Sequence, residues 1–191
     1  MSQTPASLRL LDAETRDLHA EVDRHWLDLM ASGVTRETYR AHLARVYGFE
    51  APLESALAYT KQLVIRDRMD RSRSGLIAQD LLALGMSPHK LAALPQCGGI
   101  MPFDSATEAL GWKYVVERPI QLHSAIKRNV VSRLGEMASA MSYLSAYDGI
   151  APARWHQLGL LLDSLESDDK LVEAARNAFV AMADWFNRNV D

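Results

Sequence analysis

Apolar residues recur along almost the whole chain at spacings of three and four positions, the period of an amphipathic helix. The alternation of valine or isoleucine with polar residues that marks strands is hard to find. The pattern therefore predicts an all-α protein of about seven or eight helices. We expect them at residues 5–31, 36–52, 53–84, 105–134, 137–147, 152–165 and 168–189, with a short further helix opening at Ser87 and Pro88.

Prolines and capping residues refine these boundaries. Thr4 is the expected N-cap of the first helix, because Pro5 suits the first helical position. Pro52 is expected to kink or restart its helix, whereas Pro119 lies inside the helix predicted at 105–134. Residues 94–102 are predicted to be the one substantial loop. A solvated basic face is expected at Arg66, Arg68, Arg71 and Arg73.

Composition narrows the class of protein. The length of 191 residues is that of one domain, so we expect residues 1–191 to form a single domain. The net charge of −3 does not indicate a nucleic-acid partner, and the lone Cys97 excludes an intrachain disulfide. No apolar run is long enough for a membrane helix. Because residues 1–16 lack the pattern of an export signal, a cytoplasmic protein is expected.

Several kinds of catalytic or binding site are excluded by spacing. The chain has no glycine-rich phosphate loop and no nucleophile elbow. No glutamate stands three residues before a histidine, and no two histidines stand four apart. The spacing therefore excludes di-iron bundles of the Glu-x-x-His type and zinc sites of the paired-histidine type. Isolated histidine ligation of a cofactor remains open.

His19 is the histidine best placed for such ligation. It lies at the edge of the apolar stripe of the first predicted helix, and Asp23 follows one turn later. A carboxylate at that spacing can accept the second ring N–H of a ligating imidazole, directly or through water. The spacing is equally compatible with a half-buried histidine beside a surface aspartate.

The order of several segments resembles that of heme oxygenases, especially the bacterial ones that accompany phytochromes. The similar segments are residues 11–23, Tyr39, Leu43, Tyr47, residues 52–54, 79–85 and 108–117. The resemblance implies a heme-oxygenase-like single-domain helical bundle in which His19 is the axial iron ligand. It places Thr15 and Asp23 beside that ligand, since a threonine four residues before the histidine and an acid after it recur in the family.

The resemblance also implies an activity and partners. Heme would be both cofactor and substrate, and would be opened to biliverdin, carbon monoxide and ferrous iron. The reaction requires an external electron donor. A phytochrome-type or other signalling protein is a further expected partner. The alternative is a non-catalytic tetrapyrrole-binding or interaction protein on the same scaffold.

The sequence departs from the family after Glu117. The bacterial relatives typically continue Gly-Ser-Thr-Leu-Gly-Gly, whereas Arg118, Leu122 and His123 replace the three glycines here. Glycine allows the backbone to approach a flat ligand closely. Three outcomes stay open: the pocket is filled, it is wider and holds a tetrapyrrole, or His123 is a second iron ligand opposite His19.

Other residues of the expected heme site have alternative roles. Arg118 can pair with a heme propionate, or with a local acid such as Glu117, or point to water. Leu122 is most simply a core residue. Asp12 stands where the family often has a basic residue near the propionates. In the last helix, Phe179 and Trp185 fall where the closing helix of the family covers the pocket, or they are plain core aromatics. Arg176 is a candidate partner for a carboxylate.

Overall fold

The computed structural model describes residues 3–60, 72–135, 139–165 and 168–188, and every regular element within them is helical. The all-α prediction is confirmed. The α-helices are α1 (Ala6–Glu14), α2 (Arg16–Leu27), α3 (Arg36–Tyr59), α4 (Arg73–Ala83), α5 (Pro88–Ala92), α6 (Ala106–Glu117), α7 (Ile120–Leu134), α8 (Ser142–Ser145), α9 (Ala151–Leu162) and α10 (Asp168–Phe186). A short 3₁₀ turn, Asp28–Met30, follows α2.

The first predicted helix is divided into α1 and α2 at Thr15. The hydroxyl of Thr15 donates to the carbonyl of Leu11 at 2.6 Å, a side-chain bond that often bends helices. Thr15 has non-helical angles, φ −114° and ψ 6°. The expected cap at Thr4 is wrong, because Pro5 occupies the N-cap position and no side chain caps α1. The break leaves His19 in the first turns of α2.

The predicted helix at 105–134 is likewise divided, here at Arg118 and Pro119. α6 ends at Glu117 and α7 begins at Ile120. Proline has no backbone N–H and its ring clashes with the carbonyl four residues earlier, which accounts for the break. Arg118 therefore stands at the junction of two helices.

Pro52 does not interrupt its helix, contrary to expectation. α3 continues through it from Arg36 to Tyr59. A capping box begins this helix, in which Thr35 and Thr38 each accept a hydrogen bond from the other's backbone N–H. The 24-residue helix carries core residues on both sides of the proline, and their packing holds it together.

The helix predicted at 53–84 is wrong as one helix: α3 ends at Tyr59, Thr60 is extended, and α4 runs from Arg73 to Ala83, while residues 61–71 lie outside the described residues. Other boundaries differ by fewer residues. Residues 94–102 contain no regular helix, as expected. Within the described part of the helix predicted at 137–147, residues 139–147, only Ser142–Ser145 is α-helical. The last two helices end earlier than expected. Met137, Asn189 and the predicted basic residues Arg66, Arg68 and Arg71 lie outside the described residues.

α6 and α10 approach each other closely at Gly111. A Cβ atom at this position would lie 2.7 Å from the Cβ of Ala174 and 3.0 Å from the carbonyl oxygen of Leu171. Only glycine allows this approach, which brings α10 against α6, the helix that ends at Glu117 just before Arg118. In the described part of the chain, no helix is both long and apolar enough to span a membrane.

Candidate functional site

His19 lies buried on α2, with 8% of its surface exposed. Its Nε2 atom is 2.9 Å from the hydroxyl oxygen of Thr15, one turn earlier. Its Nδ1 atom is 3.1 Å from Nη2 of Arg118. Both ring nitrogens thus have a protein partner, one from its own helical region and one from the α6–α7 junction.

Arg118 bridges His19 and Asp23. Its Nη1 atom forms an ion pair with Oδ1 of Asp23, while Nη2 reaches the imidazole. The carboxylate of Asp23 therefore pairs with the guanidinium of Arg118. The sequence predicted that Asp23 would accept a ring N–H of His19, but Arg118 contacts that nitrogen, Nδ1, instead. Glu117, the local acid considered as a partner of Arg118, pairs instead with Arg154.

The surroundings of His19 disfavour its protonated form. Burial lowers the pKa of His19 below its ordinary value, and the positive charge of Arg118 lowers it further. Asp12 and Asp23 act in the opposite direction but do not outweigh these effects. Oδ1 of Asp12 is 3.9 Å from Nδ1 of His19, and the Asp12 side chain is exposed to solvent. The histidine is therefore neutral near pH 7.

Phe179 covers the other side of His19. Its ring centroid is 5.2 Å from that of the imidazole, and it also meets the ring of Tyr114 edge-on at 6.3 Å. Trp185, further along α10, donates from Nε1 to the carbonyl of Arg45 at 2.8 Å. Phe179 thus lies beside His19, whereas Trp185 contacts α3.

Arg176 forms a surface ion pair. Its guanidinium donates to both carboxylate oxygens of Asp17, at 3.0 and 2.8 Å. It also donates to the carbonyl of Glu14 at the end of α1. Arg176 therefore links α10 to the α1–α2 break from the outside.

His123 lies in a different part of the core. It is 2% exposed, and its ring centroid is 5.5 Å from Trp26 and 4.9 Å from Tyr143. Trp26 follows His19 by two helical turns, roughly 10 Å along α2. Leu122 is partly buried and packs against the core. Of the three residues that stand in place of the glycines, Arg118 is hydrogen-bonded to His19, whereas Leu122 and His123 pack in the core.

Buried polar atoms without a hydrogen-bond partner surround Trp26. Among the described residues these include Nε1 of Trp26, Nε2 of His42 and both ring nitrogens of His123. The His42 ring meets Trp26 edge-on at 4.5 Å. Burial lowers the pKa of His42 to about 3, and that of His123 falls well below its ordinary value. Both histidines are therefore neutral in the folded protein.

This burial predicts a pH-dependent stability. Unfolded His42 binds a proton below about pH 6.5, whereas the folded form does not until about pH 3. Stability is therefore lost as the pH falls through this window. From pH 7 to pH 5, we expect wild type to lose about 2 kcal/mol more than His42→Gln. Urea unfolding of both proteins at the two pH values measures the difference.

The exposed histidine His89 provides the control for this prediction. His89→Gln should follow the wild-type pH dependence, because water surrounds this side chain in both states. Identical pH dependence in wild type and His42→Gln would show that His42 does not stay neutral on folding.

A buried network of charged side chains was missed by the sequence interpretation. Arg73 was expected on a solvated face, and this is wrong: it is 7% exposed. Its Nη2 atom donates to Glu50 at 2.6 Å, to the hydroxyl of Tyr143 at 2.9 Å and to the carbonyl of Val116 at 3.0 Å. Nη1 is 3.7 Å from Glu117. We call these side chains the Arg73 network.

The position of Glu50 in the sequence could have predicted a buried partner for its carboxylate. Glu50 follows Val46 by four residues and precedes Leu53 by three, so it occupies the core-facing stripe of α3. A carboxylate there requires a buried partner. Burial raises the pKa of Glu50 to about 7 even beside Arg73. The network joins α3, α4, α6 and α8.

The arrangement around His19 does not fit a heme held by this residue. Ligation needs an imidazole nitrogen with a free lone pair and a flat gap beside it. Here Thr15 and Arg118 engage the two nitrogens, and Phe179 contacts the ring. In the described part of the chain, no group of three or more histidine, cysteine or acidic side chains could hold a metal ion.

The comparisons with known proteins bear on the same residues. A family model described as heme oxygenase matches residues 6–188. This stretch includes α1 and α2, the α6–α7 junction and all of α10. No curated protein matches the chain significantly.

Proposed function

This chain belongs to the heme oxygenase family, and from that premise we propose that it is a non-catalytic member of it. The family reaction is the oxidative opening of heme. On this proposal the chain keeps the helical scaffold and the proximal histidine position but does not perform the reaction. The observation that supports it is the contact of Arg118 with Nδ1 of His19.

Arg118 stands at the first of the three positions where the resembling bacterial sequences have glycine. A glycine there leaves the space next to the proximal histidine open to a flat ligand. The arginine side chain crosses that space from the α6–α7 junction and is held by Asp23 on α2. For His19 to ligate heme through Nε2, the ring proton would have to move to Nδ1, the nitrogen to which Arg118 donates. The closed arrangement therefore favours a filled pocket among the three outcomes of the glycine replacements.

The remaining role on this scaffold is binding or interaction. We propose that the chain acts as a single domain that contacts a signalling partner, of which a phytochrome-type protein is the class suggested by the sequence resemblance. His123 does not support the six-coordinate alternative, because it packs between Trp26 and Tyr143.

Heme cleavage is the second candidate function. It is favoured by the retained order of Thr15, His19 and Asp23 and by the family match along residues 6–188. It requires that Arg118 leave His19 and that an external donor supply electrons. In that reaction the bound heme and oxygen would supply the chemistry of ring opening, and the protein would supply the binding site.

Incubation with hemin, a chemical reductant and air separates these functions. We expect the purified protein to leave heme intact, with no biliverdin and no carbon monoxide above the level of hemin alone. Extraction of the pigment and an optical assay for carbon monoxide measure both products.

His19→Ala is the matched variant in this assay. Formation of biliverdin by wild type that is abolished in His19→Ala would overturn the non-catalytic proposal and establish the second candidate. Equal, background-level products in both proteins support the proposal.

A further inference from the structure

The partners of His19 determine which of its ring nitrogens carries the proton. An arginine guanidinium has only donors and stays charged at all accessible pH values. Nη2 of Arg118, 3.1 Å from Nδ1, therefore donates to that nitrogen. A neutral imidazole has one acceptor nitrogen and one N–H group. Because Nδ1 accepts, Nε2 carries the proton.

Thr15 provides the acceptor that this assignment requires. Its hydroxyl hydrogen is donated to the carbonyl of Leu11 at 2.6 Å, within a fully buried turn. The hydroxyl oxygen is then free to accept from Nε2–H of His19 at 2.9 Å. The hydrogen bonds thus run in one direction, from Arg118 through the imidazole to Thr15 and Leu11.

We infer that Arg118 is a positioning residue that withholds His19 from metal ligation by fixing its Nε2–H tautomer. The lone pair on Nδ1 is taken by the guanidinium, and Nε2 has a proton in place of a lone pair. A histidine binds a metal through a free lone pair of the neutral ring. This inference rests on the proposed non-catalytic function and names the residue that enforces it.

Asp23 holds Arg118 in this position. Its carboxylate pairs with Nη1, so that the other guanidinium nitrogen is directed at the ring. Without Arg118, the ring proton can move to Nδ1, which lies 3.9 Å from a carboxylate oxygen of Asp12. Nε2 would then have a lone pair in place of its proton, available to a metal once the Thr15 hydroxyl, 2.9 Å away, turns aside. A carboxylate behind the non-ligating N–H is the usual arrangement of metal-binding histidines.

The first test reads the tautomer directly, without any ligand. Nitrogen NMR of ¹⁵N-histidine-labelled wild type should show His19 with a protonated, pyrrole-type Nε2 and a pyridine-type Nδ1. Assignment uses His19→Ala. An Nδ1–H tautomer in wild type would overturn the inference, whether or not the protein degrades heme.

Arg118→Ala is the diagnostic variant, and Arg16→Ala is its matched control. Arg16 is an exposed arginine near His19 on the same helix and pairs with Asp12 at 3.9 Å. Arg118→Ala should lose the single Nε2–H signature, whereas Arg16→Ala should keep it. An unchanged His19 spectrum in a folded Arg118→Ala would contradict the inference.

Hemin titration provides the second readout. Arg118→Ala should bind hemin roughly tenfold to hundredfold more tightly than wild type. The absorption spectrum of the bound hemin should be that of a histidine-ligated heme, with His19 as the ligand. The double variant Arg118→Ala/His19→Ala should not show that spectrum. Equal hemin spectra in wild type and Arg118→Ala would refute the role of Arg118. Heme turnover by wild type would instead refute the proposed function, while the tautomer measured without ligand remains a separate result.

Discussion

Replacing Arg73 with methionine is expected to lower the free energy of unfolding by about 3–5 kcal/mol. Methionine approximates the length of the side chain but removes the charge. Glu50, 5% exposed, would then be left in the core with Tyr143 as its remaining donor in the Arg73 network, at 2.7 Å. An uncompensated buried carboxylate destabilises the folded state far more than the intact pair stabilises it. Urea unfolding at pH 8 measures the loss.

Two comparisons make this expectation specific. Arg24→Met removes an exposed arginine that pairs with Glu21 at 3.0 Å and should change stability by less than about 1 kcal/mol. Arg73→Met/Glu50→Gln should recover part of the loss, because the unpaired charge is gone. A loss in Arg73→Met no larger than in Arg24→Met would show that the network does not contribute as its burial implies.

Burial also sets the direction of the pH dependence of this variant. The pKa of Glu50 is already raised to about 7 and would rise further without Arg73. A group with a raised pKa in the folded state stabilises that state more as it becomes protonated. The defect of Arg73→Met should therefore be smaller at pH 6 than at pH 8.

Replacing Gly111 with valine is expected to destabilise the protein by roughly 2–3 kcal/mol. The new Cβ would meet the Cβ of Ala174 at 2.7 Å and the backbone nitrogen of Ala175 at 3.0 Å. Neither is the end of a flexible side chain, so α6 and α10 must separate. Thermal and urea unfolding measure the effect.

Gly33 supplies the control for this substitution. A Cβ at Gly33 meets no atom within 4 Å, so Gly33→Val should stay within about 0.5 kcal/mol of wild type. Similar losses in the two variants would mean that the close contact between α6 and α10 is not the cause.

The helical class and much of the element order were accessible from sequence because they depend on local chemistry. Apolar spacing predicted the helices, and the irregular loop at 94–102 followed from its prolines and glycines. Local rules failed where packing outweighed them. α3 continues through Pro52 because its core residues hold both halves of the helix in place.

The candidate site was only partly predictable for the same reason. The residues that meet around His19 were all singled out from the sequence, and their order resembled that of a known family. Their contacts were not predictable. The contact of Arg118 with His19 joins residues 99 positions apart, and its direction depends on how α6, α7 and α2 pack.

The sequence alone determined the all-helical class and, through the match over residues 6–188, membership of the heme oxygenase family, and it singled out His19. Helical periodicity and motif order are properties of neighbouring residues, so they can be read along the chain. Tertiary structure decided what that histidine binds and where Arg73 lies. Both depend on side chains from distant helices competing for the same buried volume, where each charge and each lone pair must find a partner.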